Sequence, residues 1–229
     1  MKKVRIIVIA ILLLIFSTAV FAQKITAKGI KAGLNIATIT GDDAENLDSK
    51  MGFVFGGFLS FESNETFSFQ PEILFTRKGA KSENEYIDDD DRDYEEYEKE
   101  EVSWNLNYLE IPLLAKLKIP TKGKIKPNLF FGPALSFCFS AKWHVDWEYK
   151  EYEDGILVYE EKGSYNGDIN AMNDVDIGIV FGAGIDIGMI TVDARYTIGL
   201  APIFDEEEME GSAKANNSVF SIMLGYTLP

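Results

Sequence analysis

Five ionisable side chains, Glu72, Glu110, Lys116, Asp193 and Arg195, each occupy the polar phase of a segment whose other phase is apolar. Acids and bases gathered in that way have two uses. They line a charged constriction that selects ions, or they neutralise one another as hydrogen-bonded pairs that fill a narrow interior. The second, structural use is expected where the interior is only wide enough for side chains. Asp176 and Asp186 share the same polar phase.

A second candidate is the run Asp88-Asp89-Asp90-Asp91, inside the stretch Glu83 to Glu101 that holds twelve acidic residues against Arg92 and Lys99. Carboxylates are hard oxygen donors, so divalent cations are the metal partners such a run would gather. No EF-hand glycine stands at the required offset, however, and repulsion among so many like charges predicts a solvated acidic loop. Tyr86, Tyr94 and Tyr97 within it leave room for an extracellular partner.

Nucleophilic chemistry finds little support. His144 is the single histidine, Asp146 its near acid, and the sequence places no serine beside it with triad spacing. Cys138, the one cysteine, is in phase with Asn128, Gly132 and Ser136 and reads as a small packing thiol. It excludes an intramolecular disulfide. Gly182-Ala183-Gly184 lacks the lysine and following helix of a phosphate loop. No enzyme and no cofactor are expected.

The elements that must position these residues are strands. Ile177, Ile179, Phe181, Ala183, Ile185 and Ile187 alternate with small or acidic residues; after Gly188-Met189 the pattern resumes through Ile190, Val192, Ala194, Tyr196, Ile198 and Leu200. Phe220, Ile222, Leu224 and Tyr226 form the last such run. Less regular versions occupy 28–39, 51–62, 66–79, 102–119 and 127–142, giving eight segments. Many reach ten residues or more, against a usual strand of ~5–6 and the ~9–11 needed to cross a bilayer at a tilt.

The connections alternate between short and long. Residues 62–65, 120–126 and 188–189 are short; 41–50, 80–101, 143–172 and 202–216 are long and polar. Outer-membrane barrels show this asymmetry, with short periplasmic turns and long outer loops. In the third long loop Trp143, Val145, Trp147 and Tyr149 alternate with His144, Asp146, Glu148 and Lys150 up to Asp154-Gly155, which predicts a hairpin above the membrane. Pro71 and Pro133 each remove a ladder donor and predict bulges or local breaks. Aromatic residues near segment ends, Phe53, Phe67, Trp104, Phe139, Trp143 and Tyr226, are placed as interfacial girdles.

Residues 1–22 have the form of a cleaved signal peptide: Lys2, Lys3 and Arg5, an apolar run from Ile6 to Phe16, then Val20 and Ala22 at the small-residue positions. The net charge of −15 becomes −18 on its removal, over a single domain of residues 23–229. Such acidity excludes nucleic acid as a partner. The fold expected is therefore all-β, an eight-stranded antiparallel up-and-down transmembrane β-barrel with four acidic outer loops. Its partners are the lipid bilayer and the outer-membrane assembly machinery, and its role is structural or interactive, with a narrow pore as a variant. The alternative is a soluble periplasmic barrel of lipocalin type holding an apolar ligand, with the two faces reversed.

The segments KAGLNIATITGD, GFVFGGFLSFE, FQPEILFTRKGAK, NYLEIPLLAKLKI and DARYTIGLAPI, in that order over Lys28 to Pro229, resemble the porin-family outer-membrane β-barrel domain abundant in Bacteroidetes. The resemblance implies an eight-stranded outer-membrane barrel without an assigned activity. The ending Thr-Leu-Pro departs from the terminal aromatic residue of many outer-membrane proteins, so Tyr226 has to serve the assembly machinery from three positions in.

Overall fold

The computed structural model describes residues 25–41, 47–91, 94–170, 172–204 and 215–229, with the side chains of 89–91 outside that set. The expected signal peptide over 1–22 and most of the expected fourth outer loop also lie outside the described residues. Those described form ten strands where the sequence predicts eight. They are β1 (Ile25–Gly41), β2 (Asp48–Glu62), β3 (Phe67–Lys78), β4 (Ala80–Asp91), β5 (Tyr94–Lys118), β6 (Ile125–Glu153), β7 (Ile156–Asp168), β8 (Val175–Ile187), β9 (Ile190–Gly199) and β10 (Ala215–Thr227).

All pairings are antiparallel. They run β1–β2–β3–β5–β6–β8–β9–β10, and β10 returns to β1 from Gly29↔Thr227 to Gly41↔Ala215. The cycle leaves no edge among these strands. The two remaining strands extend it at one end. β4 pairs with the first half of β5 from Lys81↔Ser103 to Asp88↔Glu96, and β7 pairs with the end of β6 from Lys142↔Asp168 to Glu153↔Ile156.

The acidic segment 80–101 is thus a hairpin arm and not the solvated loop expected from its charge. The ladder contributes to this: Glu83 is bonded across it to Lys99, Lys81 lies 4.0 Å from Glu101 across it, and Lys81 is also 3.6 Å from Glu83 along β4. Counting acids along the window misses that pairing. Gly79, with φ of 140°, sits between β3 and β4 in a conformation that glycine takes readily. The register to β5 continues across it unchanged, from Lys78↔Leu106 to Lys81↔Ser103. The hairpin expected at 143–172 is present, turning at Asp154 and Gly155 with φ of 50° and 73° as a primed turn requires.

Alternation sorts the side chains by face. Ile222, Leu224, Phe131 and Ile73 point outward, 54–60% exposed, while Lys31, Asn35, Glu72 and Arg195 point inward at 3% or less. A soluble barrel would have these faces exchanged, which removes the lipocalin-type alternative. The apolar exterior suits lipid, and closure satisfies the backbone there.

Beside the prolines the ladders skip residues. Between β2 and β3 pairing jumps from Phe58↔Glu72 to Phe61↔Phe69, bracketing Pro71, and between β5 and β6 from Pro112↔Ala134 to Ala115↔Phe131, bracketing Pro133; against β8, Pro133 keeps its register.

Phe53, Phe55, Phe75 and Phe139 form one outward-facing aromatic group, with successive centroids 5.1–6.1 Å apart. Trp104 and Trp143 do not join it. A bulge leaves Phe139 between Asn107↔Ser140 and Tyr108↔Cys138, so beyond it the odd residues of β6 move to the inward phase. Trp143 then faces Trp104 across the β5–β6 ladder, in the phase of buried Leu106 and Tyr108.

Candidate functional site

Among the described residues the interior charges form three groups. In the first, Lys31 on β1 and Arg195 on β9 share Glu72 on β3 and Asp193 on β9. Lys31 Nζ is 2.8 Å from Glu72 Oε1, Arg195 Nη1 is 2.7 Å from Glu72 Oε2, and Arg195 Nη2 is 3.2 Å from Asp193 Oδ2. Lys31 is also paired directly with Asp193. Gln70 Nε2 donates to Glu72 at 2.7 Å, and the rings of Phe58 and Phe130 lie 5.2 and 5.3 Å from the two cations. Two cations and two carboxylates leave this group neutral.

In the second group Lys78 Nζ stands 2.7 Å from Glu110 Oε2 and 3.8 Å from Asp176 Oδ2; Ser136 Oγ donates to Glu110, and Asn217 Nδ2 to Asp176 and to the Tyr108 hydroxyl. In the third, Lys116 meets Asp186 at 3.1 Å, with Asn128 and Thr191 donating to the same carboxylate. The five residues picked from sequence are therefore distributed: Glu72, Asp193 and Arg195 come together, Glu110 goes to Lys78, and Lys116 to Asp186. Lys31 and Lys78 were missed. Their signal was phase, since Lys31 shares its phase with Gly29, Gly33 and Asn35, and Lys78 with Glu72, Leu74 and Thr76.

Beyond these groups, toward the end that carries β4 and β7, the lumen is closed by apolar side chains. Ile39, Ala80, Leu106, Tyr108, Ile203 and Ala215 form a buried cluster, with Trp104, Ile169, Met172 and Phe204 packed against it. Residues 201–204 are pinned there by main-chain bonds, Ile203 N to Ala215 O and Asn173 N to Ile203 O, both 2.8 Å. The Asn173 amide donates to the carbonyls of Pro202 and Phe204 at 2.9 and 2.7 Å. A hydrated ion entering from this side meets an apolar seal and then side chains already paired with one another.

Outside the seal, β4, β7 and the adjoining parts of β5 and β6 make a four-stranded sheet with two unlike faces. On one, Glu148 lies 2.7 Å from Lys150 and 2.8 Å from Lys162, and Lys162 is 2.8 Å from Glu160. Hydrogen bonds from Lys150 and then Lys162 hold the Glu148 carboxyl down to about 2, and the same contacts raise Lys162. A carboxylate lowered in the folded state adds stability above its unfolded value of about 4.3, lost as pH falls through the folded value. The carboxyl-carbon resonance of Glu148 is accordingly expected to titrate near pH 2; a midpoint near 4 would mean that the lysine clamp does not form.

The other face is aromatic. Trp143 and Trp147 lie over Gly167 and Gly163 of β7, where an added Cβ would stand 2.6 Å from either indole, and Tyr165 meets Trp143 edge-on at 5.6 Å. His144 is on the charged face, 3.2 Å from Asp146. Ser103, which sequence spacing did not bring near, stands directly opposite His144 in the ladder. No hydrogen bond joins the two among the described residues, so nucleophile and base are not linked. Cys138 is half-buried beside Tyr108, with Sγ 3.8 Å from the Ser140 carbonyl. Of the acidic run, the side chains of Asp89, Asp90 and Asp91 lie outside the described residues, and among those described no group of three or more His, Cys, Asp or Glu is placed to hold a metal.

The family model described as outer membrane protein beta-barrel domain matches residues 21–205. Among solved structures, Neisserial surface protein A is 13% identical, with 88% of this chain and 97% of that one covered and a TM-score of 0.42. Ail, the attachment invasion locus protein of Yersinia pestis, is 11% identical over 88% and 98%, with a TM-score of 0.35. The outer membrane enzyme PagL is 8% identical over 86% and 99%, with a TM-score of 0.36. No curated protein matches the chain.

Proposed function

The chain belongs to the outer membrane protein beta-barrel domain family, and from that membership we propose a closed, non-conducting barrel that displays the β4–β7 sheet for contact outside the cell. The protein is a β-barrel membrane protein of the bacterial outer membrane. Its membrane-crossing part is the eight-strand cycle, with β4 and β7 as extensions of its outer side, so the short turns at 63–66, 119–124 and 188–189 face the periplasm. The order of the sequence segments supports the porin-family branch of the Bacteroidetes type. Residues 1–22 serve export, and the assembly machinery reads Tyr226.

The observation that carries this reading is the interior, filled by paired charges and sealed by the Ile203 cluster. A barrel of eight strands is just wide enough for side chains to fill. The role left to the protein is structural and interactive, without catalysis, and its contact surface is the aromatic and charged sheet. Planar bilayers containing the purified chain are expected to show no unitary current steps. Reproducible cation-selective steps would replace this reading with the narrow pore.

A further inference from the structure

We propose that the outer rim beside β3 carries a site for the phosphorylated headgroup of an outer-leaflet lipid, centred on Arg77; the inference rests on the orientation given above, with β4 and β7 outward. The protein has a formal charge of −15, and most of the cations among its described residues have a carboxylate within 4.0 Å. Among the described residues of the outer half, Lys78, Lys81, Lys99, Lys142, Lys150 and Lys162 each have a carboxylate within 4.0 Å. Arg77 has no such partner, and neither does Lys50, which lies within electrostatic reach of it.

Arg77 is nonetheless held in place. Its Nε donates to Asn107 Oδ1 at 3.1 Å, and its guanidinium carbon stands 5.0 Å over the ring of Phe53. One edge of the fork is thus fixed, and the terminal nitrogens are left for an acceptor that the described residues do not provide. A planar guanidinium presents two parallel donors that match a phosphate. Long basic side chains lay their stems on apolar surface at a membrane boundary and put the charge among headgroups. Arg77 is placed for that, being the next outward residue on β3 after Phe75, whose ring belongs to the Phe53, Phe55 and Phe139 group.

The space beside it is a groove of about 240 Å³ that Asn105, Asn107, Lys142, Trp143, His144 and Asn166 also line. Three carboxamides add neutral donors for phosphate or sugar oxygens. The nearby carboxylates among the described residues are Asp168, 3.7 Å from Lys142, Asp146 on His144, and Glu101 within electrostatic reach of Lys50. The Lys142–Asp168 pair is well exposed, 58% and 72%, and so weak enough to yield to a phosphate. A lipid fits better than free phosphate because its chains would lie along the phenylalanine group directly below the groove.

The test is native mass spectrometry of the full chain, folded in detergent micelles, titrated separately with diphosphoryl lipid A, dephosphorylated lipid A and inorganic phosphate. One diphosphoryl lipid A per barrel is expected, held about tenfold more weakly by Arg77→Gln, which loses a charge-assisted pair. Lys122→Gln, at an unpaired cation of the opposite turn, is expected to bind as the parent does. Folding of each variant is verified by its heat-modifiable gel migration; should Arg77→Gln not fold, Asn107→Ala, which releases the Arg77 fork, carries the same expectation of weakened binding. Equal retention of the dephosphorylated lipid, or undiminished binding by the rim variants, would overturn the site. Retention of inorganic phosphate as strong as that of diphosphoryl lipid A would assign the site to the free anion and overturn the lipid. None of these outcomes depends on whether the barrel conducts.

Discussion

Replacing Glu72 by alanine is expected to destabilise the barrel by about 3–5 kcal/mol, the cost of breaking a buried ion cluster by removing one member. Glu72 accepts from Lys31, Gln70 and both terminal nitrogens of Arg195, and all four side chains are buried. Without it, two cations face Asp193 alone in an interior with little water to screen them. The loss is expected chiefly from the uncompensated charge. Glu72→Gln, which keeps the shape and an acceptor oxygen, should therefore recover part of the hydrogen bonding and little of the electrostatics. Urea unfolding in micelles, followed by the shift between folded and unfolded gel bands, measures both variants. A Glu72→Ala midpoint within experimental scatter of the parent would mean that the lumen is wet enough to solvate Lys31 and Arg195, and the closed interior would have to be given up along with the cluster.

The faces of these strands were legible in the sequence because alternation has a period of two and needs no partner to be seen. Ile177 to Ile187 and Ile190 to Leu200 show it, and the Gly188-Met189 turn between β8 and β9 follows directly. Partner choice across the barrel was not legible. Lys31 reaches Asp193 from β1 to β9 only because β10 stands between them and closes the cycle, a relation that no local pattern encodes. For the same reason Glu110 appeared as company for Arg195, whereas its carboxylate meets Lys78, four residues along β3 from its ladder partner Leu74. The bulge at Phe139 was equally hidden, and it moved Trp143 out of the expected girdle. The acidic arm misled for another reason, since Glu83 is neutralised by Lys99, sixteen residues on and across the ladder, as well as by its same-strand neighbour Lys81. Arg77 carries no signal of its own in the sequence, because an isolated arginine gains meaning only from Asn107, Phe53 and the lack of a carboxylate within 4.0 Å among the described residues.

The placement of the bilayer against this surface makes the second large effect. Ile222→Arg, on the outward face of β10, is expected to cost about 2–4 kcal/mol, the range for a cation at the lipid-facing midplane of a barrel. Ile222 is 54% exposed and pairs with Leu34 of β1, itself 57% exposed, in the middle of the outward apolar band. Leu157→Arg on β7 is the matched control, because Leu157 is 45% exposed and β7 pairs only with the outer part of β6. An exposed leucine in water gives up little on becoming charged, so that variant should unfold within about 0.5 kcal/mol of the parent. The two substitutions place the same group on open strand positions, 54% and 45% exposed, and differ chiefly in the solvent assigned to each. Unfolding from lipid bilayers, with both variants measured against the parent, reads that difference directly. Equal and small costs would place Ile222 in water and dismantle the membrane assignment; equal and large costs would put β7 inside the lipid and extend the membrane-crossing part beyond the eight-strand cycle. A large cost at Ile222 with none at Leu157 sets the outer boundary of the bilayer below β7, at the level where Arg77 meets the phenylalanines.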